Sequence, residues 1–540
     1  MRSIKRCTLR RLSALALALC LLYTGAHAED LASDLGGGLQ AQVPTQNELA
    51  QQLDMENADV TIGYIEPGYA SYSPVTTDNW NMVSLNQLVF ESVVDLDETM
   101  KPVPMLADNW VQDGKVWTFN LRSGIQFHNG YELTAYDVVR SWQTLVQAGK
   151  SNPYYARLQA ISRMDATDIY VLTVTAKNNS MMTLYAMNFP VIQYETLADE
   201  LPRGTGPYWY IGYNDEGTVR LEANPLWWKQ QPEIRSILLK RYYDSGDAIQ
   251  AIRTNQIDML STKSPRASLS RKLSGLTSMD YPTLTFEMLV PNLGEGSLLS
   301  NVTVRQAVMY AIDRSMVASN AYLDMGIQCE VPILPGSWLY ESQSAIYYYS
   351  PERALQLMQS LGWRDLTGDG RLNKRNGVML EEPRVTLVTY NESTNCIREN
   401  AANMIAEYLE AVGFTVTVNV LSSKEKAREA IRNRNYDLAL MAVNLSEIPD
   451  MNAMLKTGGE LNFNRYSNDD MDMLLERVRS ASDETVLRKI YSDIQMTVVN
   501  RLPVLGLLFR TGTVLSARSI GGLYGLRAYD NFNGFEFLKQ

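Results

Sequence analysis

Between Arg384 and Val443 the chain carries a rhythm that few folds accommodate. Val385, Leu387 and their neighbours form a short β-rich run. Ala401, Met404, Ile405, Tyr408, Leu409 and Val412 then recur at helical spacing, and Gly413 supplies a stop. Phe414, Val416, Val418 and Val420 alternate as a strand requires. A second helical pattern follows, and Tyr436–Val443 closes the stretch as a third apolar run. Strand, helix, strand, helix, strand with short crossovers predicts a parallel sheet wound in one hand. Ligands of such sheets sit beyond the carboxyl ends of the strands. Those ends are Tyr390–Asn391, Leu421–Ser422 and Ala442–Glu447. An α/β lobe with no site at all is the plain alternative, because a fold does not establish a function.

The same signature returns at 234–262. Ile234–Tyr243 reads as a strand, Ser245–Asn255 as a helix and Ile257–Leu260 as a second strand. Their ends, Tyr243–Asp244 and Ser261–Thr262, join Tyr64–Glu66 at the end of a strand over Val60–Ile65. Together they make the opposing wall of a cleft. Elsewhere Trp117, Phe119 and Leu121 mark a half-buried strand. Thr134 caps a helix with Asp137 three residues on, and Gly149 ends it. A helix starting at Asn301 or Thr303 buries Val304, Ala307, Val308, Ala311, Ile312 and Met316. Arg305, Asp313 and Arg314 beside it read as packing and surface pairing. The chain crosses between lobes at about 285–292 and returns near 503, where Leu502–Phe509 is apolar. Two such crossings are what a clamp closing on a ligand needs.

At 540 residues the chain exceeds one ordinary core, so two or three domains are expected. Residues 1–28 read as a secretory signal peptide: a basic start, an apolar run from Leu12 to Leu22, and Ala26-His27-Ala28 as a cleavage site. Leu19 stands where a lipoprotein signal prefers a small residue, which argues against Cys20 as a lipid anchor. Residues 29–58 read as a flexible leader containing Gly36-Gly37-Gly38. Five basic residues and no acidic one leave with the signal, taking the net charge from −11 to −16. So acidic an exported protein is a poor partner for nucleic acid. Of its cysteines, Cys329 and Cys396 remain; a disulfide and two separate thiols both stay open.

Little catalytic chemistry is written in the chain. With the signal gone, His128 is the one histidine left, in a Gln-Phe-His-Asn-Gly turn. A hydrolase built on Ser and His has no other base, and multi-histidine metal sites are excluded. Asp365, Thr367, Asp369 and Gly370 fall as in half a calcium loop, but Asn376 holds the twelfth position, so a turn bonded by its own Asp side chains is expected. No phosphate loop or dinucleotide fingerprint is present, and no cofactor or metal is expected. The 30 tyrosines against 11 phenylalanines suit ligand clefts, having an apolar face and a hydroxyl.

Several segments, in order, carry a resemblance: Asn86-Gln-Leu-Val-Phe-Glu-Ser-Val-Val94, Pro104-Met-Leu-Ala-Asp-Asn-Trp110, the run Trp117–Gly130, Leu133–Val139, Gly204-Thr-Gly-Pro-Tyr208, Asn224-Pro-Leu-Trp-Trp228, Ile257-Asp258, Val304–Arg314 and Tyr466–Asp472. On these the chain resembles the family 5 extracytoplasmic solute-binding proteins, the peptide- and nickel-type receptors of ABC importers. The resemblance implies an α/β, two-lobed periplasmic-binding-protein-like fold, type II in its three-domain variant, with two linking segments. Lobe 1 is expected over 59–85, 200–284 and 505–540, an inserted domain over 86–199, and lobe 2 over 285–504. It implies capture of an oligopeptide or related small solute by hinge closure, delivery to membrane permease subunits, an exported location, a monomer and no catalysis. An exported hydrolase with a glycosidase-like carboxylate pair, or a sensory receptor on the same scaffold, are the alternatives. Peptide receptors of the family follow the strand matching Tyr436–Val443 with a Trp and an Asp. Here Val443 and Ser446 stand at those places and Glu447 is one step on, which departs from ordinary peptide binding. The expected ligand contacts are Tyr64, Glu66, Tyr69, Tyr390, Asn391, Asn444, Ser446 and Glu447.

Overall fold

The computed structural model describes residues 54–540 apart from 67–70, 79, 215, 272, 274, 393–394, 518, 528–529 and 531. The signal peptide and most of the leader expected from the sequence lie outside the described residues.

One eleven-stranded sheet runs through the protein. Its strands are β1 (Val60–Ile65), β2 (Tyr208–Tyr213), β3 (Val219–Ala223), β4 (Ser236–Tyr242), β5 (Met259–Thr262), β6 (Leu276–Pro291), β7 (Gly326–Gln328), β8 (Arg384–Tyr390), β9 (Thr415–Leu421), β10 (Leu438–Asn444) and β11 (Leu505–Ala517). They lie in the order β9-β8-β10-β6-β11-β5-β1-β4-β3-β2, with β7 added to β11. Two parallel trios stand out. In one, β8 is flanked by β9 and β10; in the other, β1 is flanked by β4 and β5. These are the two strand–helix units that the periodicity predicts. Their central strands read as apolar runs because both faces are covered.

Long antiparallel strands β6 and β11 join the trios. The amino-terminal half of β6 pairs only with β11, whose own end pairs with β5, while Thr285–Pro291 pairs with β10. The β6–β11 ladder breaks between Pro282 and Phe286, so three residues, Thr283 to Thr285, face Arg510 alone. Extra residues of this kind bend a strand pair locally. The Thr283 hydroxyl donates to the Arg510 carbonyl at 2.7 Å across the break. Both crossings are longer than the sequence suggests, because β6 and β11 are long continuous strands rather than short linkers.

The packed interior falls into distinct clusters. One gathers Phe286, Val308, Leu387, Ile405, Leu440, Ile490 and Phe509 around the β8 trio. A second joins Val60, Ile62, Leu239, Tyr281, Val514 and Phe535 around β1. A third, of Trp117, Phe119, Phe127, Val138, Leu172 and Phe189, lies between the four-stranded antiparallel sheet of 107–176 and helix α1 (Ala135–Ala148). The Asp137 carboxylate accepts the Thr134 N–H at 3.0 Å at the start of α1, as the capping pattern requires.

Helices α2 (Ser245–Arg253), α3 (Val302–Ala311), α4 (Ile397–Ala411) and α5 (Lys424–Arg432) complete the frame. Helix α3 is shorter than its apolar pattern predicts. Ile312 is extended, and Asp313 accepts the Ser315 and Met316 N–H groups at 3.1 Å, starting a new turn. An Asp side chain that bonds nearby backbone competes with helix continuation. Met316 therefore faces out, half-exposed, rather than extending the buried stripe. Arg305 donates to the carbonyls of Leu299 and Arg501, and Arg314 pairs with Glu330 at 2.7 Å, so both are packing residues. Cys329 is buried and Cys396 exposed, and the two thiols are free.

Candidate functional site

The carboxyl ends of the two parallel trios face one groove of about 700 Å³. Tyr64 and Ile65 come from β1, Ser261 and Thr262 from β5, and Tyr390 from β8, with Asn391 and Ser422 just beyond β8 and β9. This is where a parallel sheet places a ligand, since side chains there are set by strands while the loops stay free to vary. The volume suits a small solute.

Beneath the groove lies a charged network that short-range sequence patterns do not show. Glu287 sits on β6 with no exposure, and Arg398 on α4 is equally enclosed. Arg398 grips Glu287 with two nitrogens at 2.7 and 2.9 Å. Arg510, on β11 at the ladder break, meets Glu287 at 2.5 Å and Glu392 at 2.8 Å, and Arg398 reaches Glu392 at 2.9 Å. Two carboxylates and two guanidiniums thus balance. Burial pushes the Glu287 carboxyl up, but Arg398 and Arg510 overcome that and hold it below its ordinary value; Glu392 is held down in the same way. The Arg398 guanidinium also lies 4.4 Å from the centre of the Tyr390 ring, fixing that wall of the groove.

The residues expected to touch ligand separate into groups. Tyr64, Tyr390 and Asn391 line the groove together. The Tyr64 hydroxyl donates to the Gly217 carbonyl at 3.2 Å, and the Asn391 N–H to Leu421 at 2.8 Å. Glu66 is buried just past β1 and is not part of the lining. Tyr69 lies outside the described residues. Asn444 is exposed at the end of β10, where its side chain accepts the Thr285 hydroxyl at 2.9 Å. Ser446 and Glu447 border a separate apolar cavity of about 30 Å³ with Met100, Tyr185 and Phe509. The Glu447 carboxylate is taken up by a buried ion pair with Arg157, and the Ser446 hydroxyl donates to Glu447. The third strand end is drawn aside because β10 borders β6 rather than the open edge.

Other lining residues escaped the sequence reading: Tyr281, Lys263, Glu392, Lys424 and Arg510. Lys263 directly follows β5, and Lys424 is three residues past β9, so a wider scan of strand ends reaches both. Glu287 had a signal too, a carboxylate inside the apolar run Phe286–Val290, which demands a buried partner. Tyr281 owes its position to Gly512 opposite. A Cβ on Gly512 would lie 2.3 Å from the Tyr281 ring, and the Tyr281 hydroxyl lies 3.1 Å from Ser261 Oγ. Gly512→Ala is expected to displace that ring and cost about 1–3 kcal/mol by overpacking. A lowered urea midpoint with an unchanged m-value is the check.

Two other motifs resolve structurally. The Asp365 carboxylate accepts the N–H groups of Thr367, Gly368 and Gly370, so it is occupied by its own turn. His128 is buried among Gly204 and Gly206, away from the groove. Among the described residues no helix is long and apolar enough to cross a membrane.

Comparison with known proteins agrees with this geometry. A family model described as bacterial extracellular solute-binding proteins, family 5 Middle, matches residues 101–464. The oligopeptide-binding protein AppA of Bacillus subtilis is 22% identical over 473 residues, covering 83% of this chain and 85% of that protein. Heme-binding protein A of Haemophilus influenzae is 22% identical over 493 residues, covering 83% and 87%. The solved structure of the nickel ABC transporter from Bacillus halodurans superposes with a TM-score of 0.76 at 19% identity, covering 88% of this chain and 98% of that one. The fold is that of the type II periplasmic binding proteins. With two thirds of its length matched by the family model and a groove where the two parallel trios end, the chain belongs to the bacterial extracellular solute-binding proteins of family 5.

Proposed function

We propose that this protein is the solute receptor of an ABC importer, which captures an oligopeptide or related small solute and hands it to permease subunits. The observation that carries the reading is the 700 Å³ groove between two strand trios that are tied by β6 and β11 and by their broken ladder. Bending at Pro282–Phe286 and Arg510 brings the walls together, and a ligand stabilises the closed form by its preference for it. We take 59–85, 200–284 and 505–540 as lobe 1, 86–199 as the inserted domain and 285–504 as lobe 2; the cores follow this division in the main, with Leu505–Phe509 packed in the β8 cluster and Leu88–Phe90 in the β1 cluster. Tyr64, Tyr390 and Asn391 contact the ligand in this reading, while Glu66, Asn444, Ser446 and Glu447, which lie off the groove lining, do not. The relative named for oligopeptide binding supports the ligand class. Export by the amino-terminal signal places the receptor on the outer side of the cytoplasmic membrane, where it acts as a monomer.

The receptor binds without catalysis. Glu392 is the one carboxylate among the described lining residues, and two arginines keep it ionised, so it is a poor proton donor for a glycosidase-like pair. Native mass spectrometry of the purified protein is expected to show a co-purified small solute. Adding that solute at about a hundred times its Kd is expected to stabilise the fold by about 2.7 kcal/mol. The radius of gyration from solution scattering falls at the same time. A saturating ligand that leaves the scattering curve unchanged would sink the closure mechanism.

A further inference from the structure

The charge of the groove is at odds with that of the chain. The whole sequence has a net charge of −11, yet the ionisable Lys, Arg and carboxylate side chains lining the groove are Lys263, Lys424, Arg510 and Glu392. Glu392 and Arg510 are paired at 2.8 Å, and behind them Glu287 and Arg398 are paired as well, so those four cancel. Lys263 and Lys424 are left over. Neither lies within ion-pair distance of a carboxylate among the described residues, whereas Lys101, Lys456 and Lys489 on the outer surface do. The two lysines come from opposite walls. Lys263 follows β5, beside the β1 trio, and Lys424 opens α5, beyond β9 of the β8 trio. Uncompensated ammonium groups facing each other across a protein groove repel, and that repulsion rises as the groove narrows and loses water. An anionic ligand removes the penalty, so closure and anion binding are coupled.

We propose that the groove selects a solute with two negatively charged carboxylates, one met by Lys263 and the other by Lys424. The inference rests on the receptor reading above and adds the charge of its ligand. The surroundings of the lysines agree. Solvent reaches Lys263, but the protein around it lowers its ammonium pKa through burial, with no acidic group offsetting this. Lys424 is lowered by burial first and then by Arg428 and Arg398, against weaker support from Glu287 and Glu425. Both ammonium groups gain when a carboxylate arrives. A carboxylate of the lining also has an unpaired oxygen. Among the described residues Glu392 Oε2 is buried and finds no hydrogen-bond partner, so a ligand that brings one N–H donor beside its carboxylates completes the lining. An acidic peptide has all three features; a simple dicarboxylic acid has two.

Calorimetric titration of the purified, ligand-stripped full chain tests this with four probes: Glu-Ala-Glu, tri-alanine, Lys-Ala-Lys and glutarate. Glu-Ala-Glu is expected to bind at least about tenfold more tightly than tri-alanine, and Lys-Ala-Lys least. Its affinity falls steeply with added salt. Lys263→Met and Lys424→Met each reduce Glu-Ala-Glu affinity about tenfold, and the double variant binds Glu-Ala-Glu and tri-alanine alike. Both lysines lie at the groove surface, so circular dichroism of the free variants matching the parent shows that folding is intact. Glutarate binding with the same lysine dependence assigns the site to dicarboxylates in general; its failure beside tight Glu-Ala-Glu binding assigns it to acidic peptides. Tri-alanine or Lys-Ala-Lys binding as tightly as Glu-Ala-Glu, with compaction in scattering, overturns the charge preference and leaves the receptor reading standing. No binding by any probe to a protein that still compacts with its co-purified solute overturns the preference too. No compaction with any solute overturns the receptor reading itself.

Discussion

Glu287→Gln is expected to lower the unfolding free energy by about 3–5 kcal/mol, the usual cost of removing one partner from a buried ion pair. Glu287 has no exposure, and its carboxylate is shared by Arg398 and Arg510. Replacing it leaves one carboxylate, Glu392, against two guanidiniums, one of them on the strand that links the trios. The double replacement Glu287→Met with Arg398→Met is expected to lose less than the single variant, because it removes the buried charge along with its partner. Urea titration of the single and double variants separates the two outcomes, and equal losses would refute an uncompensated charge as the cause. The pH dependence follows from the same network. The folded Glu287 carboxyl lies below its ordinary value of 4.5. Its contribution is therefore complete above about pH 4.5 and disappears as the pH falls through the lower, folded value. The parent is expected to lose stability in that acid range, and Glu287→Gln to lose less of it.

His128 gives the second large effect, in a milder pH window. The Gly204 N–H donates to His128 Nδ1 at 3.2 Å, and His128 Nε2 lies 3.3 Å from the Gly206 carbonyl. One ring nitrogen thus accepts and the other donates, which only the neutral ring does. Burial, aided by Arg203, lowers its pKa from 6.5 to about 3. The unfolded chain takes up a proton below pH 6.5 that the folded chain refuses. Stability is therefore whole above 6.5 and drains by about 1.4 kcal/mol per pH unit as the pH falls, approaching about 5 kcal/mol at pH 3. His128→Gln abolishes this slope. Urea midpoints of parent and variant at pH 7, 5.5 and 4.5 are expected to converge on acidification; parallel curves would refute it. Asp530 acts in the opposite sense. Burial lifts its carboxyl from 3.8 to about 7, so its contribution is whole below 3.8 and lost as the pH rises through 7. Asp530→Asn removes that opposing slope, and its curve is expected to diverge from the parent's in the other direction.

The two strand–helix units were legible because their signals are local. Alternation in Phe414–Val420 and helical spacing in Ala401–Val412 depend on neighbours along the chain, and the parallel trios followed. The strand tips that meet in the groove were legible for the same reason, as Tyr64, Tyr390 and Asn391 illustrate. Where a tip borders the linking strands the rule has less reach. Glu447 follows a strand as Asn391 does, three residues past β10, yet it turns to Arg157, which is 290 positions earlier in the sequence. Met316 failed on a local competitor, the Asp313 side chain, which outweighed apolar spacing.

By itself the sequence determined the elements, their parallel pairing and the end of the sheet at which the groove opens, since backbone periodicity and strand polarity are properties of contiguous residues. Tertiary structure alone decided the electrostatics. Glu287, Arg398 and Arg510 are over a hundred positions apart in sequence, and so are Lys263 and Lys424. Whether a charge is paired, buried or left facing a groove depends on what the fold brings within a few ångströms, because in a low-dielectric interior the interaction is strong at short range and a partner's position is set by topology, not by spacing along the chain.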